Sequence, residues 1–242
     1  MAPRRTGRLT NGGGYRIVPP RAWIAFGLAV LLMSGPGAMA QTTSGGSESH
    51  AAIAAQIEKR VDVDALLAQC PADLSDRMSD RFDVLKSECA ESPSSCLAQC
   101  LDGDSSDACF GLARWFQLGE GEDDRPHETL FARACTLHRA SGCTNRAAGM
   151  LNFHGDAALL HPDGEETVGD CVARTFRETC EAGDSWGCTM YGYQLYSGEN
   201  VPKDLGQAKS VLTEACLIWR DSESSDTASR LLERIKRQSR SP

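Results

Sequence analysis

The chain has 242 residues, enough for a sizeable core, and 33 acidic against 25 basic residues for a net charge of −8. That balance argues against nucleic acid and against anionic lipid as partners. Eleven cysteines, all beyond residue 40, point to a disulfide-linked protein of an oxidising compartment.

Residues 1–40 read as a signal peptide. Arg4, Arg5, Arg8, Arg16 and Arg21 form a basic lead, Ala22–Met33 is an apolar run, and Ala38–Met39–Ala40 is a small-x-small cleavage site before Gln41. The apolar run is too short to cross a bilayer comfortably, so no stable membrane span is expected after cleavage. With the leading arginines removed, 20 basic and 33 acidic residues remain, a balance of −13. The expected location is the periplasm or the medium.

Residues 41–50 are a polar lead. Residues 51–108 read as an N-terminal helical region: one helix over Ala51–Cys70 ended by Pro71, a second over Leu74–Cys89 through Met78, Phe82, Val84 and Leu85, and a short third over Ser92–Cys100. Residues 109–220 contain three helical hairpins. The first pairs Cys109–Leu118, ended by Gly119 and Gly121, with a return helix over Thr129–Leu137, preceded by Pro126. The second opens at Gly142–Cys143, has a long link over His154–Glu166, and returns over Thr167–Cys180.

The third hairpin is the clearest. Met190, Tyr191 and Leu195 recur at helical spacing and Gly198 supplies a stop. Asp204 then caps a second helix that carries Leu205, Ala208, Val211, Leu212, Ala215 and Ile218 on one face. Residues 221–242 are a capping helix and basic tail, with Leu231, Leu232 and Ile235 inward and Arg230, Arg234, Lys236 and Arg237 outward.

The cysteine spacing supports repeated units. Cys109 to Cys143 is 34 residues, Cys143 to Cys188 is 45, and Cys180 to Cys216 is 36. The steps Cys100–Cys109, Cys135–Cys143 and Cys180–Cys188 stay at 9, 8 and 8 while the links inside the hairpins vary. Cysteines at the two outer ends of a hairpin are placed to clamp it. The expected pairs are therefore Cys109–Cys135, Cys143–Cys180 and Cys188–Cys216, with Cys70–Cys100 in a degenerate first unit and Cys89–Cys96 clipping its turn. Cys171 is left unpaired. Each clamp is worth roughly 3–4 kcal/mol on a chain-entropy account.

The third unit, through Tyr191–Gly192, Gly198, Val201, Asp204 and Ala208, resembles the Sel1-like repeat family and its cysteine-rich secreted branch. Tyr191, Leu195 and Asn200 replace the family's leucine, tyrosine and second glycine. The first unit keeps Gly119 and Gly121, and the second departs most. The resemblance covers about residues 100–220. It implies an all-α fold, a right-handed solenoid of αα-hairpins with a disulfide within each repeat. It also implies an adaptor or scaffold role, with weak β-lactamase or penicillin- and peptidoglycan-fragment binding as the alternative.

No reaction centre is legible. No lysine has a serine three residues before it, the K-T-G and S-D-N companions are absent, and no H-E-x-x-H or phosphate loop occurs. No catalytic residue, cofactor or metal is expected. His154 and His161, with Asp156 and Asp163, read as a solvated loop rather than four ligands. Asp102, Asp104 and Asp107 lack the glycine and glutamate of a calcium loop.

The remaining candidates are aromatics on the opening helices: Trp115, Phe116, Tyr193 and Tyr196, of which the two tyrosines are expected to be the more exposed. Trp219 is expected to pack on the closing helix. A groove of this kind suits a protein, an extended peptide or a cell-wall fragment.

Overall fold

The structure, a computed structural model, describes residues 49–79, 87–119, 123–152, 167–218 and 223–238. The chain divides into a leading unit, Met1–Gly45, outside the described residues, and a unit Gly46–Pro242 that contains all of them. The regular elements are α1 (His50–Arg60), α2 (Val63–Leu67), α3 (Pro93–Leu101), α4 (Ser106–Leu118), α5 (Arg125–Thr136), α6 (Ala140–Asn152), α7 (Val168–Glu181), α8 (Ser185–Ser197), α9 (Leu205–Ile218) and α10 (Glu223–Gln238). Two 3₁₀ turns, Pro71–Leu74 and Ser87–Ala90, complete the set. No named strand occurs among the described residues, so this part of the chain is all-α. No described helix is long and apolar enough to cross a membrane.

Local chemistry sets the helix ends. The single helix expected over Ala51–Cys70 is broken at Asp62, whose carboxylate accepts from the Ala65 backbone N–H and starts α2 instead. The helix expected from Leu74 is not formed at its start. Leu74 ends the first 3₁₀ turn, and the chain continues to a bridge between Ser79 and Arg139. Phe82, Val84 and Leu85 lie outside the described residues. Further on, Pro126 in the first turn starts α5 earlier than expected. Thr167 and Asp170 form a capping box at α7, Gly198 closes α8 at φ +78°, and Asp204 accepts from the Gln207 N–H to open α9.

From α3 onward each helix packs on the next, as α4 on α5, α5 on α6, and so on to α9 on α10. The joins between return and opening helices follow one local plan. After Cys135 and Cys180 the chain turns through a residue at positive φ, His138 (+67°) and Gly183 (+95°). The His138 N–H then bonds the Cys135 carbonyl and the Arg139 N–H the Ala134 carbonyl. Gly183 and Asp184 repeat this on Cys180 and Thr179. These are Schellman terminations. The α3–α4 join is one residue longer, turns at Asp104 (+49°), and bonds Ser105 back to Gln99.

This plan overturns the expected clamps. Cys109–Cys135, Cys143–Cys180, Cys188–Cys216 and Cys70–Cys100 are not formed. The bonds are Cys100–Cys109, Cys135–Cys143 and Cys180–Cys188 across the joins, together with Cys89–Cys96 and the long-range Cys70–Cys171. Cys171 is therefore bonded, and Cys216 is the free cysteine. The physical reason is proximity. A three-residue turn followed by a new helix brings the two join cysteines to Cα separations of 4.7 and 4.3 Å in the last two joins, inside disulfide reach. The glycine before the second cysteine permits this approach. A Cβ on Gly142 would lie 2.9 Å from the Phe131 carbonyl oxygen, and one on Gly187 would overlap the Thr179 hydroxyl. Five disulfides place the folding of this chain in an oxidising environment.

The core lies in three clusters. Ile53, Ile57, Leu97, Leu112, Leu130 and Phe131 hold α1–α5 together. Met150, Val172 and Phe176 join α6 and α7 around Cys70. Leu195, Leu212, Leu231 and Ile235 join α8, α9 and α10, so two of the three residues expected inward on α10 are buried and Leu232 is half-buried.

Polar ties cross between these layers. Arg146 of α6 donates to Glu128 of α5 at 3.2 Å and to the Leu67 carbonyl at the end of α2 at 3.1 Å. Gly149 leaves the room that the Glu128 carboxylate occupies. Arg174 holds Asp73 with two bonds of 2.7 and 2.9 Å, beside the Cys70–Cys171 bridge.

Candidate functional site

Helices α8 and α10 lie side by side and run in the same direction. At their N-terminal ends the hydroxyls of Ser185 and Ser224 are 2.7 Å apart, and Thr189 donates to the Ser224 carbonyl at 3.3 Å. At their C-terminal ends the Gln238 amide donates to the Tyr196 hydroxyl at 3.0 Å. Between these ties the two helices border a groove of about 320 Å³. It is lined by Thr189, Met190 and Tyr193 from α8 and by Thr227, Arg230, Leu231 and Arg234 from α10.

The sequence of each helix explains its wall. Cys188 and Leu195 bury one side of α8, leaving Tyr193 38% exposed and Trp186, two turns earlier on the same face, 37% exposed. On α10 the buried stripe is Ser224, Ala228, Leu231 and Ile235. Thr227, Arg230 and Arg234 fall on its flank and face the groove. The floor is thus apolar and one wall carries two guanidinium groups a helical turn apart.

Those two groups differ from most of the described arginines. Arg60, Arg125, Arg133, Arg139, Arg146 and Arg174 each meet a carboxylate: Asp102, Asp64, Asp104, Asp107, Glu128 and Asp73 respectively. Asp102, Asp104 and Asp107, the acids of the α3–α4 region, are therefore anchors for arginines. Arg230 bonds the Thr227 hydroxyl at 2.9 Å, and neither it nor Arg234 has an ion-pair partner among the described residues.

The four aromatics expected to share a surface are not brought together. Tyr193 lies in the groove. Tyr196 closes its end, half-buried, with the Lys203 ammonium 5.8 Å from its ring centre. Trp115 and Phe116 belong to a different cluster on α4. Phe116 is a core residue, 8% exposed, which corrects its expected place in a groove. Trp115 is covered by the His50 ring, stacked at 3.8 Å and 4°. Trp219, His154, His161, Asp156 and Asp163 lie outside the described residues.

The sequence does not single out Met190, Arg230 or Arg234 as site residues. The usable signal is the arginine pair at i, i+4 on α10.

One serine and histidine do meet. The Ser75 hydroxyl lies 2.8 Å from His138 Nδ1, and Asp76 is 3.9 Å from that same nitrogen. A hydrolytic triad needs the nucleophile and the orienting carboxylate on opposite ring nitrogens. Here both oxygens address one. The contact instead braces the α5–α6 join, where His138 holds positive φ without being glycine. Ser79 adds backbone bonds to the His138 carbonyl and the Ala140 N–H. No cluster of three or more His, Cys, Asp or Glu side chains suited to a metal ion occurs among the described residues.

No family model, no curated protein and no solved structure matches this chain.

Proposed function

We propose that this chain is an exported, disulfide-rich Sel1-like repeat protein that acts as a protein-binding adaptor or scaffold in the cell envelope or outside the cell. On this reading residues 1–40 are its signal peptide and its successive helix pairs form a solenoid. The repeated join geometry at Cys135–Cys143 and Cys180–Cys188 supports the repeat reading, and the five disulfides support export.

The observation that carries the binding role is the α8–α10 groove, an apolar floor presented between two helices of like direction. Helical repeat surfaces of this kind take extended segments of a partner. Tyr193 supplies the anchor, a rigid amphipathic ring that lines the groove.

Selection of displayed peptides on the oxidised protein tests the proposal. Selected peptides are expected to bind Tyr193→Ala at least tenfold more weakly and Trp115→Ala unchanged. Equal binding to the wild type and Tyr193→Ala would remove the groove from the function. The alternative, a weak β-lactam hydrolase, predicts a stoichiometric adduct on one serine after treatment with a labelled β-lactam. The Ser75–His138 geometry does not favour it.

A further inference from the structure

The groove says something about the charge of its occupant. This inference rests on the docking role proposed above. A chain with 33 acidic residues pairs most of its described arginines internally, yet Arg230 and Arg234, on the wall of its apolar groove, meet no carboxylate among the described residues. Both side chains are exposed, so neither is held there by packing. On α10 they stand at i and i+4, where side chains are neighbours, about 5–6 Å apart at Cβ. In an extended peptide the side chains at i and i+2 point the same way, about 7 Å apart. Two acids separated by one residue therefore match two arginines separated by one turn. Guanidinium groups bind carboxylates through paired N–H donors, which adds geometric selectivity to charge.

We infer that the α8–α10 groove recognises an extended acidic peptide. Two carboxylates spaced i, i+2 engage Arg230 and Arg234, and an adjacent aromatic or aliphatic side chain rests on Met190, Tyr193 and Leu231. A protein segment is favoured over an anionic bilayer because the chain as a whole is acidic, with a net charge of −8, and is repelled by such a surface. The two guanidinium groups act locally, within roughly a Debye length of 8 Å at physiological salt, so an isolated acidic motif still feels them.

The test uses three fluorescein-labelled decapeptides that share a Leu and a Phe and differ at two positions, with centres Glu-Leu-Glu-Phe, Gln-Leu-Gln-Phe and Lys-Leu-Lys-Phe. Binding to the full oxidised chain is read by fluorescence anisotropy at low and at physiological salt. The acidic peptide is expected to bind at least about tenfold tighter than the Gln peptide, an advantage that shrinks as salt rises. The Lys peptide is expected to bind weakest. Arg230→Gln with Arg234→Gln is expected to bring the acidic and Gln peptides within about threefold of each other. Tyr193→Ala is expected to weaken both.

Equal affinity for the acidic and Gln peptides, with both still dependent on Tyr193, would overturn the acidic preference and leave the docking role standing. Binding that ignores Tyr193 as well would overturn both. No saturable binding of the acidic peptide up to about 1 mM would overturn this inference. The arginine pair is solvent-exposed, and an unchanged circular dichroism melt for the double variant confirms that any lost preference is not lost fold.

Discussion

Arg146 donates to Glu128 at 3.2 Å where α5 meets α6, with the arginine side chain wholly inaccessible and the carboxylate 6% exposed. Burial lowers the affinity of the guanidinium for its proton, and the Glu128 charge opposes that effect. His127 stands 3.5 Å from the same carboxylate. Removing one partner of such a pair strands the other charge in a dry site. Glu128→Gln, nearly isosteric, is expected to destabilise the protein by about 3–5 kcal/mol. Urea unfolding of the oxidised protein measures it.

The join glycines yield a paired prediction. Gly187→Ala places a methyl group on the Thr179 hydroxyl, and Gly142→Ala places one 2.9 Å from the Cys135 backbone nitrogen. Each is expected to cost about 1–3 kcal/mol as overpacking. Gly206→Ala is the control. It is exposed in the first turn of α9, its nearest atom is the Asp204 carboxylate at 3.3 Å, and Ala is the better helix former. That variant is expected to melt at or above the wild-type temperature.

Peptide mapping under non-reducing conditions checks the join bridges directly. Linked peptides are expected for Cys100–Cys109, Cys135–Cys143, Cys180–Cys188 and Cys70–Cys171. A Cys109–Cys135 link would contradict the fold. Replacing both Cys135 and Cys143 with serine opens a loop of only eight residues' separation and is expected to cost about 2–3 kcal/mol. Removing Cys70–Cys171, at a separation of 101, is expected to cost more, about 4–5 kcal/mol.

Cys216 invites a new bridge. Its sulfur lies 3.4 Å from the Ser229 hydroxyl of α10. Ser229→Cys is expected to close a sixth disulfide that ties α9 to α10. The free-thiol count should fall from one to zero, and the melting temperature should rise by a few degrees. Thiol titration under denaturing conditions reads the first outcome and calorimetry the second.

Acid should weaken the Pro71–Leu74 attachment to α7. The hydrogen bonds from Arg174 hold the Asp73 carboxyl below its ordinary value of 3.8, so folding favours its charged form. That stabilisation is complete above the unfolded value and is lost as pH falls through the lowered folded one. Asp170, held down by the Thr167 hydroxyl at the start of α7, acts in the same sense. Glu178 is opposite. Burial pushes its carboxyl up from 4.5, so its effect on stability becomes unfavourable as pH rises through that region. Thermal unfolding between pH 7 and about pH 2.5 should decline less steeply below about pH 4 for Asp73→Asn than for the wild type.

Much of the secondary structure was legible because helix ends are decided locally. Gly198, Asp204, Thr167 and Pro126 act within a few residues of themselves, and each marks an end or a start where its chemistry requires one. The N-terminal region was harder to read. Asp62 interrupts an apolar periodicity that continues through it, and the chain after Leu74 gains backbone partners from the distant Arg139 join instead of making its own. The constant cysteine steps of 8 and 9 were also visible, but their meaning was not. Constant spacing is equally the mark of a join between units and of the bond that closes the join.

The order of charges, caps and cysteines along the chain was enough to specify an all-helical, disulfide-bearing protein. Which sulfurs meet was decided by folding, because a cystine forms between whichever pair the backbone brings within about 6 Å, and the tight turns at the joins hold the join pairs within that distance. The same holds for the groove. Tyr193 and Arg234 are 41 positions apart and share a surface only because α10 packs against α8, with α9 between them in the chain. Local hydrogen bonds write the helices, and packing across distance chooses their neighbours.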